Sequence, residues 1–273
     1  MVIIALLLRG CASGTISFDP APIEDRFAQA PIVARGVVES VKGPGGAPER
    51  NGKLIPVPYT ATVSLEAQYK GGPLPDRFLI FFPSVDQMSG PPLRLGSRCI
   101  FFLEPEKDQS SFQLIAAPGA IIYLNKLLPP KTDQGSGAGG PEGLQADVVA
   151  GAEGDDRVFA ALGILTQFRR LRPETLKRIQ AIQTGDSDIR MLKLLLLTRS
   201  NHSDYFSYFA QALEQWSAAY PTVVMTPTSE IIMKAAVPIL REPQSSKDLQ
   251  ALETSLQFRT HICAKVLWTA SAS

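Results

Sequence analysis

The stretch Tyr59–Tyr69, YTATVSLEAQY, alternates without a break. Tyr59, Ala61, Val63, Leu65, Ala67 and Tyr69 fall on one face, and Thr60, Thr62, Ser64, Glu66 and Gln68 on the other. A period of two, carried by β-branched and aromatic residues, is that of a strand with one buried face. Wound as a helix, the same residues would scatter their apolar groups around the whole circumference. This stretch therefore has to be a strand, and it needs partners.

The partners are legible on both sides. PIVARGVVESV reads as a preceding strand with Gly36 as a bulge or bend. The loop between the two, KGPGGAPERNGKLIP, carries Asn51-Gly52, the favoured two-residue turn of a hairpin. Its glycines do not make a phosphate loop. Gly46 and Gly52 enclose five residues instead of four, and Leu54 stands where a hydroxyl would hold magnesium. RFLIFFP, LGSRCIFFLEP and SSFQLIAAPGAIIYL follow as strands, the last broken at Pro118-Gly119, and IEDRFAQA reads as one helical turn. Short strands separated by turn residues predict a small closed or sandwich-like barrel over residues 15–124.

Three pieces of this region, Val33–Val38 (VARGVV), Tyr69-Lys70-Gly71 and Gly96–Leu103 with its RCIFFL, resemble the netrin-like domain. That is the OB-type barrel also found in tissue inhibitors of metalloproteinases. The resemblance spans roughly residues 23 to 124 and implies the barrel. The inhibitors of that family chelate the protease zinc through an N-terminal Cys-x-Cys-x-Pro. Here Cys11-Ala12-Ser13-Gly14-Thr15 lacks the second cysteine and the proline, so the inhibitory chemistry is not expected to carry over.

Gly 21 and Pro 22 are high counts, and most of these residues precede position 155, which predicts two domains. Residues 125–156, containing TDQGSGAGGPEG, read as a flexible linker. Asp147, Glu153, Asp155 and Asp156 match no calcium loop and read as a solvated acidic lead-in to a helix. From residue 157 the period becomes helical. Val158, Leu162, Leu165 and Phe168 make one stripe, and Pro173 suits a first helical position, with Gly185 as a stop. Asp186 or Ser187 suits the cap of IRMLKLLLL, and Ser203 that of DYFSYFAQALEQW. EIIMKAAVPIL, kinked at Pro238, and SKDLQALETSLQFRTHICAKVLW complete six helices over 157–273. SDIRMLKLLLL and SEIIMKAAVPIL rhyme as repeat openings, so the helices resemble a HEAT-like stack, with a plain six-helix bundle as the alternative. The fold class expected is α+β: an OB-like barrel, then an all-α domain.

The chain starts MVIIALLLRGCASG. Val2–Leu8 is far shorter than the roughly 20 residues that span a bilayer, but it reaches the apolar centre of a secretory leader. Leu8-Arg9-Gly10-Cys11 resembles the bacterial lipobox, in which the cysteine receives a lipid on sulfur; Arg9 departs from the small residue of that pattern. The expectation is a signal or lipoprotein leader over residues 1–14, with Cys11 as the lipid attachment site; Gly10 and Ala12 also suit cleavage before Ser13, which would leave the protein secreted. The alternative is an apolar first strand carrying an inert cysteine.

No chemistry stands out. Cys11, Cys99 and Cys263 include no C-x-x-C, and His202 and His261 are the two histidines, so neither a zinc site nor any other cofactor is expected. Cys99 and Cys263 lie in apolar runs and are expected to be free, buried thiols. His202, Ser203 and Asp204 are adjacent in sequence, whereas a triad assembles from distant positions, so they read as a turn and cap. Glu104 and Glu106 read as an exposed strand end. Tyr205, Tyr208 and Trp216 read as core residues, with a partner-binding concave face as the alternative. The net charge of +1, with signs well mixed, argues against nucleic acid. The reading is a non-enzymatic binding or scaffold protein of the cell envelope. It has a protein partner, and it meets the membrane only through a lipid anchor. A protease inhibitor acting through the barrel edge and an enzyme with an inter-domain site are the alternatives.

Overall fold

Strand β1 (Ile32–Lys42) pairs along its length with β4 (Tyr59–Lys70) and along its first half with β6 (Arg98–Pro105). The structure, a computed structural model, describes residues 21–43, 49–50, 53–54, 59–82, 93–106, 111–117, 119–129 and 139–219, and the helical positions Ile232, Ala236 and Ile239. Between β1 and β4 lie the short antiparallel pair β2 (Glu49–Arg50) and β3 (Lys53–Leu54), with Arg50 opposite Lys53; Asn51 and Gly52, where the turn is expected, lie outside the described residues. Then come β5 (Arg77–Phe82), β7 (Ser111–Leu114) and β8 (Ile121–Tyr123).

The order β1-β4-β5-β7-β6 closes on itself through the β1–β6 pairing, making a five-stranded barrel. Every pairing in it is antiparallel except β5 with β7. That order is an OB-like arrangement. β8 continues beyond β7 along the same edge of β6, with Cys99 opposite Tyr123. The break expected at Pro118-Gly119 separates β7 from β8, and Gly119 has a positive φ of 78°.

Burial explains why RCIFFL does not alternate. Cys99, Phe101 and Leu103 point into the barrel core with Ala61, Val63 and Ile80. Ile100 and Phe102 are equally buried on the other face. Helix α1 (Ile23–Gln29) covers that face: the rings of Phe27 and Phe102 meet edge to face at 5.5 Å, and the Arg26 guanidinium lies 5.1 Å from the Phe102 centroid. A strand covered on both faces loses its period.

Gly36 sits beside a register shift in the β1–β4 ladder, as its position in PIVARGVVESV suggested. A Cβ there would lie 2.5 Å from the Ser64 carbonyl oxygen and would also strike Val63. Only glycine lets the two strands approach so closely.

Two units divide the described chain, and two expectations need correction. The barrel unit runs from Phe18 to Glu153 and takes in Gln167–Arg169. Within the expected linker 125–156, residues Gly140–Ala150 form helix α2, which packs on β4 with Leu144 and Val148 buried; 130–138 lie outside the described residues. Phe168 is not on the helical stripe, because that helix ends at Leu165. It is buried in the barrel unit, where Ile23 N donates to the Gln167 carbonyl at 2.9 Å and Arg26 Nη2 to Gln167 Oε1 at 2.7 Å. In both cases long-range packing overrides local composition.

The helical unit holds α3 (Asp155–Leu165), α4 (Pro173–Ala181), α5 (Ser187–Ser200) and α6 (His202–Ala219). Pro173 opens α4, and the Asp186 side chain accepts from the amides of Asp188 and Ile189 to cap α5, as expected. α5 packs against α3, α4 and α6 together, so Leu195, Leu196 and Leu197 are all buried. A helix so enclosed has no need of a polar face. Ile232, Ala236 and Ile239 are helical and buried at the spacing read in EIIMKAAVPIL; Pro238 and the last predicted helix lie outside the described residues.

Candidate functional site

Helices α5 and α6 reverse at Asn201, and their exposed sides leave a groove of about 470 Å³. α5 contributes Arg190, Lys193, Leu194 and Leu197, which the spacing i, i+3, i+4, i+7 places on one face. Leu197 is buried and Leu194 half-buried, so the two make an apolar floor. α6 contributes Tyr205, Tyr208 and Gln211, and the last turn of α4 contributes Gln180. Tyr208 is 62% exposed, a large aromatic surface for a residue outside a core.

Several of these side chains are already held. Gln180 Nε2 donates to the Tyr205 hydroxyl at 2.9 Å. Lys193 Nζ donates to the carbonyls of Gln180 and Ile182, each at 2.8 Å, satisfying the open end of α4. Burial lowers the Lys193 pKa from its ordinary value. Among the described residues that line the groove there is no carboxylate, and the ionised ones, Arg190 and Lys193, are both cationic. Its volume falls within the range of binding clefts.

A second polar cluster is buried on the barrel. Arg35 Nη1 donates to Asp147 Oδ2 and, at 3.1 Å, to the Tyr69 hydroxyl, while its Nε bonds Glu66 Oε2 at 3.1 Å. Tyr69 in turn donates to Asp147 Oδ2 at 2.5 Å, and Arg98 Nε bonds Glu66 at 3.0 Å. Burial pushes the Tyr69 pKa up, which keeps its hydroxyl a donor. Asp147 Oδ1 is buried without a hydrogen-bond partner among the described residues, beside a cavity of about 10 Å³ lined by Arg98 and Leu127. That is the size of one water, too small for a substrate. The cluster ties α2 to the barrel. Asp147 is therefore corrected: it is not part of a solvated lead-in. A carboxylate is buried only when paired, and its partner is Arg35, 112 residues away. Glu153, Asp155 and Asp156 are exposed, the two aspartates in the first turn of α3.

The remaining residues singled out in the sequence are dispersed. Cys99 is a free, buried thiol in the barrel core, its pKa pushed up to about 12 by burial. Asn201 Nδ2 donates to Asp204 Oδ2 at 2.6 Å, and Ser203 Oγ donates to Asn201 Oδ1 at 3.2 Å, a local network at the start of α6. His202 is the first residue of that helix. Glu104 and Glu106 are half-buried, not exposed, because Glu104 sits opposite Gln113 on β7. Of the three aromatics expected in the core, Trp216 is buried, its Nε1 donating to Asp188 Oδ1 at 2.7 Å, whereas Tyr205 and Tyr208 are corrected: they line the groove, and Tyr208 is largely exposed. Cys11, Ser13, His261 and Cys263 lie outside the described residues. Among the described residues there is no metal-ligating cluster and no helix long and apolar enough to cross a membrane.

No protein-family model matches the chain, and no curated protein matches it. Sequence reading missed Arg190, Lys193 and Gln211 as groove residues. The only signal was that Arg190 and Lys193 share a helical face with Leu194 and Leu197, and this face reads equally as an ordinary solvated flank.

Proposed function

We propose that this is an exported, envelope-tethered protein that binds a partner through the groove between α5 and α6 and performs no chemistry there. The observation that carries the binding part is the groove itself: an apolar floor, two tyrosines, two amides and two cations, with no nucleophile beside a base among the described lining residues. Tyrosine and arginine on a partly preorganised surface are the residue types that dominate binding interfaces. Tethering rests on the lipobox-like Leu8-Arg9-Gly10-Cys11. In this reading the barrel is a netrin-like scaffold and the helices stack in the HEAT manner.

Two measurements test it. Mass spectrometry of the mature protein from its native host should find a diacylglyceryl adduct on Cys11; an unmodified chain that retains Val2 would sink the tethering. A mixed-sequence pool of short peptides added to isotope-labelled protein should move amide resonances of α5 and α6. Shifts confined to the barrel would refute the groove as the site.

A further inference from the structure

We infer that the groove takes an acidic peptide segment, one apolar side chain of which sits over Leu194 and Leu197. This rests on the reading of the groove as the binding site. Shape is the first argument. The groove is open along one side between two helices, so a chain can enter and leave it, while a planar bilayer could not reach Leu197 at its buried floor. Polar chemistry is the second. The phenols of Tyr205 and Tyr208 and the amides of Gln180 and Gln211 can donate to and accept from a peptide backbone.

Charge decides the class. Arg190 and Lys193 are the ionised groups among the described lining residues, and the two carboxylates at the start of α5 are held by other partners. Asp186 caps the helix, and Asp188 accepts from Trp216. A partner bearing glutamate or aspartate beside its anchor complements the two cations, whereas a basic one would meet like charge. Lys193 is held by two carbonyls and Tyr205 by Gln180, so little rotamer freedom is lost on binding.

The test titrates the full-length chain with labelled short peptides in which a central leucine or phenylalanine is flanked by glutamates, by serines or by lysines. Binding is followed by fluorescence anisotropy and by amide shifts. The glutamate-flanked set should bind at least about tenfold more tightly than the serine-flanked set and should weaken with added salt. Arg190→Glu and Tyr208→Ala, both at exposed positions, should each cost about tenfold, and Arg190→Glu should improve the lysine-flanked set. Serine- or lysine-flanked peptides binding α5 and α6 as tightly would overturn the acidic class while leaving the groove a binding site. If no peptide of any class moves α5 or α6, the inference falls together with the binding-site reading. Vesicles of mixed phosphatidylserine and phosphatidylcholine serve as a control: capture by them through Arg190, with no peptide binding, would assign the cations to a membrane instead.

Discussion

Asp147 on α2 and Arg35 on β1 form an ion pair whose side chains are only 4% and 9% exposed. Breaking one half of such a pair leaves a buried charge, which typically costs about 3–5 kcal/mol. Arg35 keeps Glu66 as a second partner, so Asp147→Leu should fall near the lower end of that range. The double variant Arg35→Met/Asp147→Leu should lose less than the sum of the two single changes, because it removes both charges together. Urea midpoints of the four proteins decide this, and strict additivity would contradict it.

Gly36→Ala should destabilise the barrel by about 1–3 kcal/mol, the usual cost of forced overpacking. Its added methyl group would meet the Ser64 carbonyl and Val63. Gly72→Ala is the matched control, since nothing lies within 4 Å of its would-be Cβ. Thermal unfolding should therefore separate the two variants, and equal midpoints would argue against the close strand approach.

The Cys99 thiol is raised from 9.0 to about 12 by burial, and Tyr123 from 10.0 to about 12, again chiefly by burial. Both groups are neutral in either state at neutral pH. As pH rises past about 9, the unfolded chain ionises first, so the stability these groups provide is lost progressively up to about 12. Urea midpoints should decline over that window, and less steeply in Cys99→Ala. Iodoacetamide at neutral pH should label Cys99 only in denaturant, as peptide mass spectrometry can establish.

Asp188→Ala should cost about 1–3 kcal/mol by removing the acceptor of the indole N–H of Trp216, which is 4% exposed. Asp188→Asn retains an acceptor and should recover much of the loss. Chemical denaturation compares the two. Equal losses would mean that charge near the α5 terminus, and not the bond to Trp216, is what Asp188 supplies.

The strands were legible because they carry local evidence: alternation in YTATVSLEAQY, and turn-forming residues between the apolar runs, with Asn51-Gly52 between β2 and β3 and Pro118-Gly119 between β7 and β8 in the sequence. The helix start at Pro173 and the cap at Asp186 were legible for the same reason. Helix α2 was not. Its segment is rich in glycine and carries an aspartate on the face it buries, so composition pointed to a tether. The groove was half legible. Tyr205 and Tyr208 drew attention as aromatics, but Trp216 looked equivalent to them in sequence and went to the core.

What the sequence determined by itself was the kind of element at each place and the order of barrel before helices, because periodicity, turns and caps act over a few residues. Which strands close the barrel, where a buried carboxylate finds its guanidinium, and which tyrosines stay at the surface were decided only in the tertiary structure. Those outcomes depend on pairings such as Arg35 with Asp147 and Gln180 with Tyr205. The desolvation cost that selects such pairings exists only once distant segments have excluded water between them.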